Sequence, residues 1–94
     1  MPTFMVHHSV AGLTRERVLK YQADAAQDDR VQWVRHFVSL SHETIVSEFE
    51  APDAGSLVEW LHAIELPFNY IVEAEYVGAG RDLQDKLVEP DFLI

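Results

Sequence analysis

Ninety-four residues without a cysteine make one small domain, exclude disulfides and thiolate metal sites, and leave any soft-metal chemistry to histidine with carboxylates as the alternative. The net charge of −9, from 16 acidic against 7 basic side chains, argues against a nucleic-acid partner and suits a cation or a cationic partner. No apolar run approaches the ~20 residues of a membrane span, and the N-terminus lacks the basic-then-apolar pattern of a signal peptide, so a cytoplasmic protein that does not bind membranes is expected.

A chain this short buries only roughly 60–65% of its unfolded surface. Yet 48% of it is hydrophobic and 11% aromatic, so some of the apolar material is available for an interface. The first strand is read over Thr3–Val10, an apolar run interrupted by the adjacent pair His7-His8. Adjacent strand residues point to opposite faces, so the two imidazoles cannot share one. After the loop Ala11-Gly12-Leu13, Thr14 has the chemistry of an N-cap, and 15–27 carries Val18, Tyr21 and Ala25 at helical spacing. Asp28-Asp29-Arg30 breaks that helix. Val31–Leu40 is rich in β-branched and aromatic residues and reads as a strand; Ser41-His42-Glu43 is a turn without glycine, and Thr44–Glu50 is the third strand.

Ala51-Pro52-Asp53 ends the third strand and caps a second helix over 54–64, with Leu57, Leu61 and Ile64 on one stripe. Leu66-Pro67 stops it. Asn69–Val77 is the fourth strand, Gly78-Ala79-Gly80 a hinge, and Arg81–Leu87 a short helix that docks on its own or a partner chain together with the apolar terminus Phe92-Leu93-Ile94. The order strand, helix, strand, strand, helix, strand predicts an α+β, ferredoxin-like βαββαβ domain over residues 1–78, with 79–94 as a tail. Right-handed crossovers give a four-stranded antiparallel sheet of order 4-1-3-2 with both helices on one face.

Alternation then assigns the faces. Phe4 and Val6 of the first strand, Val34, His36 and Val38 of the second, Ile45, Ser47 and Phe49 of the third, and the more apolar set Tyr70, Val72, Ala74 and Tyr76 of the fourth are expected under the helices. That turns His7 outward with Met5, Ser9, Trp33, Arg35, Phe37, Val46, Glu48, Glu50, Ile71, Glu73, Glu75 and Val77. Such a mixed apolar face is too greasy to stay wet, and packing two of them face to face makes a homodimer of the dimeric α+β barrel type.

The residues leave three chemistries open in that cleft. His7 and His8 with Glu48, Glu50 and Glu73 are the candidate ligands of a divalent ion, nickel or zinc. Glu48 or Glu73 as base, His7 as its partner and Arg35 as an anion stabiliser make a cofactor-free isomerase, cyclase or oxygenase site. The cleft can also simply bind a small molecule, or the module can be purely structural. His8 and His36, facing the helices, read as satisfied core histidines, and His42 and His62 as solvated ones.

The segments Met1–His8, Gly12-Leu13-Thr14, Val31–Arg35, Glu50–Ala54, Leu66-Pro67-Phe68 and Ile71-Val72-Glu73 together resemble a family of small bacterial ferredoxin-like proteins, mostly without an assigned role, one branch of which binds nickel. The resemblance implies the same fold and a homodimer. It also implies that His7-His8 matches the first-strand histidines of the nickel-binding branch. That branch's second-strand histidine falls on Arg35, with His36 beside it; its second-helix histidine falls near His62, with Trp60 competing for the place; the histidine after Leu66-Pro67 is missing; and its fourth-strand histidine is Val72 here. Several ligands of the branch are thus replaced, which sets this chain nearer the metal-free majority of the family.

Overall fold

The computed structural model describes residues 1–86. In chain order it contains β1 (Thr3–Ser9), α1 (Arg15–Ala25), β2 (Gln32–Ser39), β3 (Thr44–Glu50), α2 (Ala54–Ala63), β4 (Tyr70–Glu73), β5 (Tyr76–Ala79) and β6 (Asp82–Asp85). The main sheet has the order β2-β3-β1-β4 with antiparallel neighbours throughout, which is the order expected from the sequence.

Each helix begins where a side chain can satisfy its free N–H groups. The Thr14 hydroxyl accepts from the Arg17 N–H at 3.2 Å, and the Asp53 carboxylate accepts from the Ser56 N–H at 2.7 Å. Both helices cover one face of the sheet. Val18 and Tyr21 of α1 and Leu57, Trp60 and Leu61 of α2 are buried with Phe4, Val6, Ile45 and Phe49 in one core. Phe49 sits at its centre, edge-on to Trp60 at 5.4 Å and stacked on Trp33 at 5.7 Å. The Trp60 indole N–H donates to the Asp28 carbonyl at 3.1 Å, tying α2 to the loop that leads into β2. The glycine-free hairpin between β2 and β3 is made by Glu43, which itself adopts a left-handed backbone with φ of 52°.

Three expectations are corrected. Trp33 lies on the helix side, not the open side, because β2 carries a bulge: Trp33 pairs with Phe49 and Arg35 with Glu48, so Val34 is the extra residue. The fourth strand is shorter and inverted. Val6 faces Ile71 and Phe4 faces Glu73, whereas Met5 faces Val72 and His7 faces Tyr70; Ile71 therefore packs on the core, and Tyr70 and Val72 look outward. The short helix expected from Arg81 is instead strand β6, paired with β5 in a separate two-stranded hairpin. Residues 87–94, including the proposed docking terminus Phe92-Leu93-Ile94, lie outside the described residues. No helix among the described residues is long and apolar enough to cross a membrane.

Because Phe49 is fully buried and touches aromatic rings from both β2 and α2, Phe49→Ala is expected to cost about 3–5 kcal/mol. Urea denaturation should show this as a lower midpoint at unchanged slope.

Candidate functional site

The side of the sheet away from the helices presents Met5 and His7 from β1, Arg35 and Phe37 from β2, Val46 and Glu48 from β3, and Tyr70 and Val72 from β4. Its apolar members are open to solvent: Phe37 is 70% exposed, Tyr70 55%, Met5 48%, Val72 45% and Val46 44%. Five large apolar side chains from four adjacent strands make one patch, the kind of surface that marks an interface or a binding face.

His7 is held in place from two directions. Its Nδ1 donates to the Asn69 side-chain oxygen at 3.0 Å, and its ring stacks on Tyr70 with centroids 5.3 Å apart and planes 8° from parallel. With the proton on Nδ1, Nε2 keeps its lone pair and has no hydrogen-bond partner among the described residues. A histidine oriented through one nitrogen by an amide oxygen, with the other nitrogen free, has the arrangement usual for a metal-ligating imidazole.

Arg35 and Glu48, opposite each other on β2 and β3, form an ion pair with Nε and Oε1 2.9 Å apart. The Glu48 side chain is only 19% exposed and Arg35 is 63% exposed, so the pair stands half in the face rather than on its rim. His7 lies opposite Val46, which makes Glu48 its diagonal neighbour, at about 7–8 Å for such positions.

The remaining candidates are dispersed. Glu50 shares the open side with Glu48 but sits at the strand end, opposite Thr3 and Gln32. Glu73 lies opposite Phe4, on the helix side, so the expected meeting of His7 with acids from both flanking strands is corrected to a meeting with Glu48 alone. Glu75 lies between β4 and β5, outside the main sheet. The acid–base reading is left with Glu48, which is already engaged by Arg35. Among the described residues no three histidine, aspartate or glutamate side chains come together as a metal-binding group.

His8 faces the helices and is fully buried. Its Nδ1 donates to the Pro67 carbonyl at 2.7 Å, and its Nε2 accepts from the Ser47 hydroxyl at 2.9 Å. Both nitrogens are occupied and the ring is across the sheet from His7, so the expected pairing of His7 and His8 around one ion does not fit this geometry. Burial pushes the His8 pKa down from 6.5 to about 4. His36 also lies on the helix side, stacked on Trp33 at 4.1 Å, and burial lowers its pKa. His42 contacts Ser39 and Ser41 in the turn, and His62 stacks on Phe68 at 6.1 Å. Sequence reading missed Asn69 and Tyr70 as the supports of His7, since both depend on the inverted facing of the fourth strand.

The family model described as nickel responsive protein SCO4226-like matches residues 4–74. Among solved structures, the crystal structure of SCO4226 from Streptomyces coelicolor A3(2) is similar in fold, with a TM-score of 0.68 and 23% sequence identity over 82% of this chain and 99% of that one. No curated protein sequence matches the chain. The family match ends before β5 and β6.

The neutral state of His8 sets a pH dependence. The unfolded chain takes up a proton near pH 6.5, whereas the folded chain resists until about 4, so unfolding binds a proton throughout that window. Stability is expected to be full above pH 6.5 and to fall by about 3 kcal/mol as pH drops to about 4, with His36 acting in the same direction. Urea midpoints across that range, with an NMR titration showing the His8 ring still neutral at pH 5, check this.

Proposed function

Since this chain belongs to the family of nickel-responsive SCO4226-like proteins, we propose that it is a homodimeric binder of divalent cations, nickel foremost, with the open sheet faces packed together and His7 as the metal-binding nitrogen. The observation that carries this reading is the clamped imidazole: Nδ1 is committed to Asn69, the ring lies flat on Tyr70, and Nε2 is free. Imidazole suits nickel, and carboxylate oxygens can complete the sphere.

A single chain supplies too few donors, because no group of three ligating side chains exists among its described residues. A twofold axis through the open face removes that shortage by presenting every donor twice. With that axis passing close to His7, the two copies of His7 face each other, and Glu48, diagonal to His7 in the register, is the acid from each chain that shares its face. The patch of Met5, Phe37, Val46, Tyr70 and Val72 gives the interface its apolar centre, and the net charge of −9 draws cations toward it.

Nickel chloride titrated calorimetrically into the protein is expected to saturate at no more than one ion per chain and to raise the melting temperature by mass action. His7→Ala should abolish that heat and that shift, and should lower the apo melting temperature by only a few degrees, since it loses one exposed hydrogen bond and its side chain is not in the core. Nickel binding unchanged in His7→Ala would overturn the assignment. Light scattering should give a dimer, and Phe37→Glu, at a position 70% exposed, should give a folded monomer.

A further inference from the structure

We propose that the open face holds a second site, distinct from His7, that binds a small neutral molecule carrying an acceptor and a donor side by side on an apolar body, as an amide does. A cavity of about 250 Å³ lies where the β5–β6 hairpin meets the sheet, the liquid volume of about eight waters. Thr3 and Met5 of β1, Arg35 and Phe37 of β2, and Val46 and Glu48 of β3 form its floor. Tyr76, Val77 and Gly78 of β5 form its wall. His7 is not part of the cavity; Glu48 is the one side chain shared with the proposed cation site, so the site is tested on metal-free protein.

The polar groups define the ligand. The ion pair joins Arg35 Nε to Glu48 Oε1 and leaves the two terminal nitrogens of Arg35 and the second oxygen of Glu48 without a partner among the described residues. The pair is neutral as a unit. A carboxylate added here would leave two anions sharing one guanidinium against an apolar wall, in a chain of net charge −9. An amine would leave two cations sharing one carboxylate. A neutral ligand avoids both costs: its carbonyl accepts from Arg35 and its N–H or O–H donates to Glu48.

Thr3, 1% exposed, closes the floor beneath the cavity. Met5, Phe37, Val46 and the Tyr76 ring supply the apolar contact that such a body requires.

The experiment follows backbone amide shifts of the full chain by NMR while benzamide, benzoate and benzylamine are titrated in turn. Benzamide is expected to bind with a Kd on the order of 1 mM for a molecule of its size, moving the amides of Met5, Phe37, Glu48 and Tyr76, and to bind more tightly than either charged analogue. Val46→Trp fills the cavity from an exposed position and should abolish binding with the fold intact, whereas Val72→Trp, on the same proposed dimer face but outside the cavity, should not. Arg35→Met should weaken it roughly tenfold, and His7→Ala should leave it unchanged. Tighter binding of benzoate or benzylamine, no saturable binding of benzamide, or binding that survives Val46→Trp would overturn the proposal.

Discussion

The loop from Pro67 to Asn69 is fastened to β1 by two histidines that point in opposite directions. On the buried side, the His8 ring donates to the Pro67 carbonyl at 2.7 Å. On the open side, the His7 ring donates to the Asn69 side chain at 3.0 Å, and the Asn69 N–H donates back to the His7 carbonyl at 2.7 Å. Because neighbouring residues of a strand alternate faces, an adjacent pair such as His7-His8 can hold the loop from both sides of the sheet at once. The clamp fixes the entry into β4, sets the register that puts Tyr70 beside His7, and thereby decides which imidazole nitrogen is free. A buried ring with no chemistry of its own is what makes the exposed ring directional.

The same clamp explains which parts of the architecture were legible from sequence. Thr14 and Asp53 announced both helices, and Phe4, Val6, Ile45 and Phe49 kept strict period-two burial, so the element order, strand order and outward facing of His7 followed directly. The facing of the fourth strand is hidden in the sequence because its two tyrosines have the apolar bulk of core residues. Tyrosine is amphipathic, and Ile71, opposite Val6, was the side chain with the shape to fit beneath the helices. The bulge at Val34 had no glycine or proline to reveal it; only the partner strand shows that Trp33 and Arg35 straddle an extra residue. The second hairpin did leave a signal. Ala79 pairs with Asp82 around the two residues Gly80 and Arg81, and Gly80 has φ of 60°, the glycine-first pattern of a tight hairpin turn rather than of a hinge.

Site residues were less legible than fold residues for a physical reason. A strand face can be inferred from one segment, but a site needs the relative register of several. Arg35 and Glu48 were both placed outward, and their meeting at 2.9 Å depends on the bulge that restores Arg35 to the open side after Trp33 has gone inward. Glu73 was lost from the site by the same kind of one-residue parity that brought Tyr70 into it.

A two-stranded hairpin such as β5–β6 is marginal by itself in water, and each residue of β6 is exposed. Its order must come from what β5 touches. The half-buried Val77 and its neighbours Tyr76 and Gly78 lie against the Arg35–Glu48 end of the open face. On the proposed reading, a second copy covering that face, an ion at His7 and a small molecule at Arg35–Glu48 each bury part of one continuous surface. Ligands that favour the same assembled state must reinforce one another, since whatever either contributes to the dimer is returned to the other as affinity. On that reading, a sheet with one sealed side and one unsealed side couples assembly to ligand occupancy without any moving part in the core.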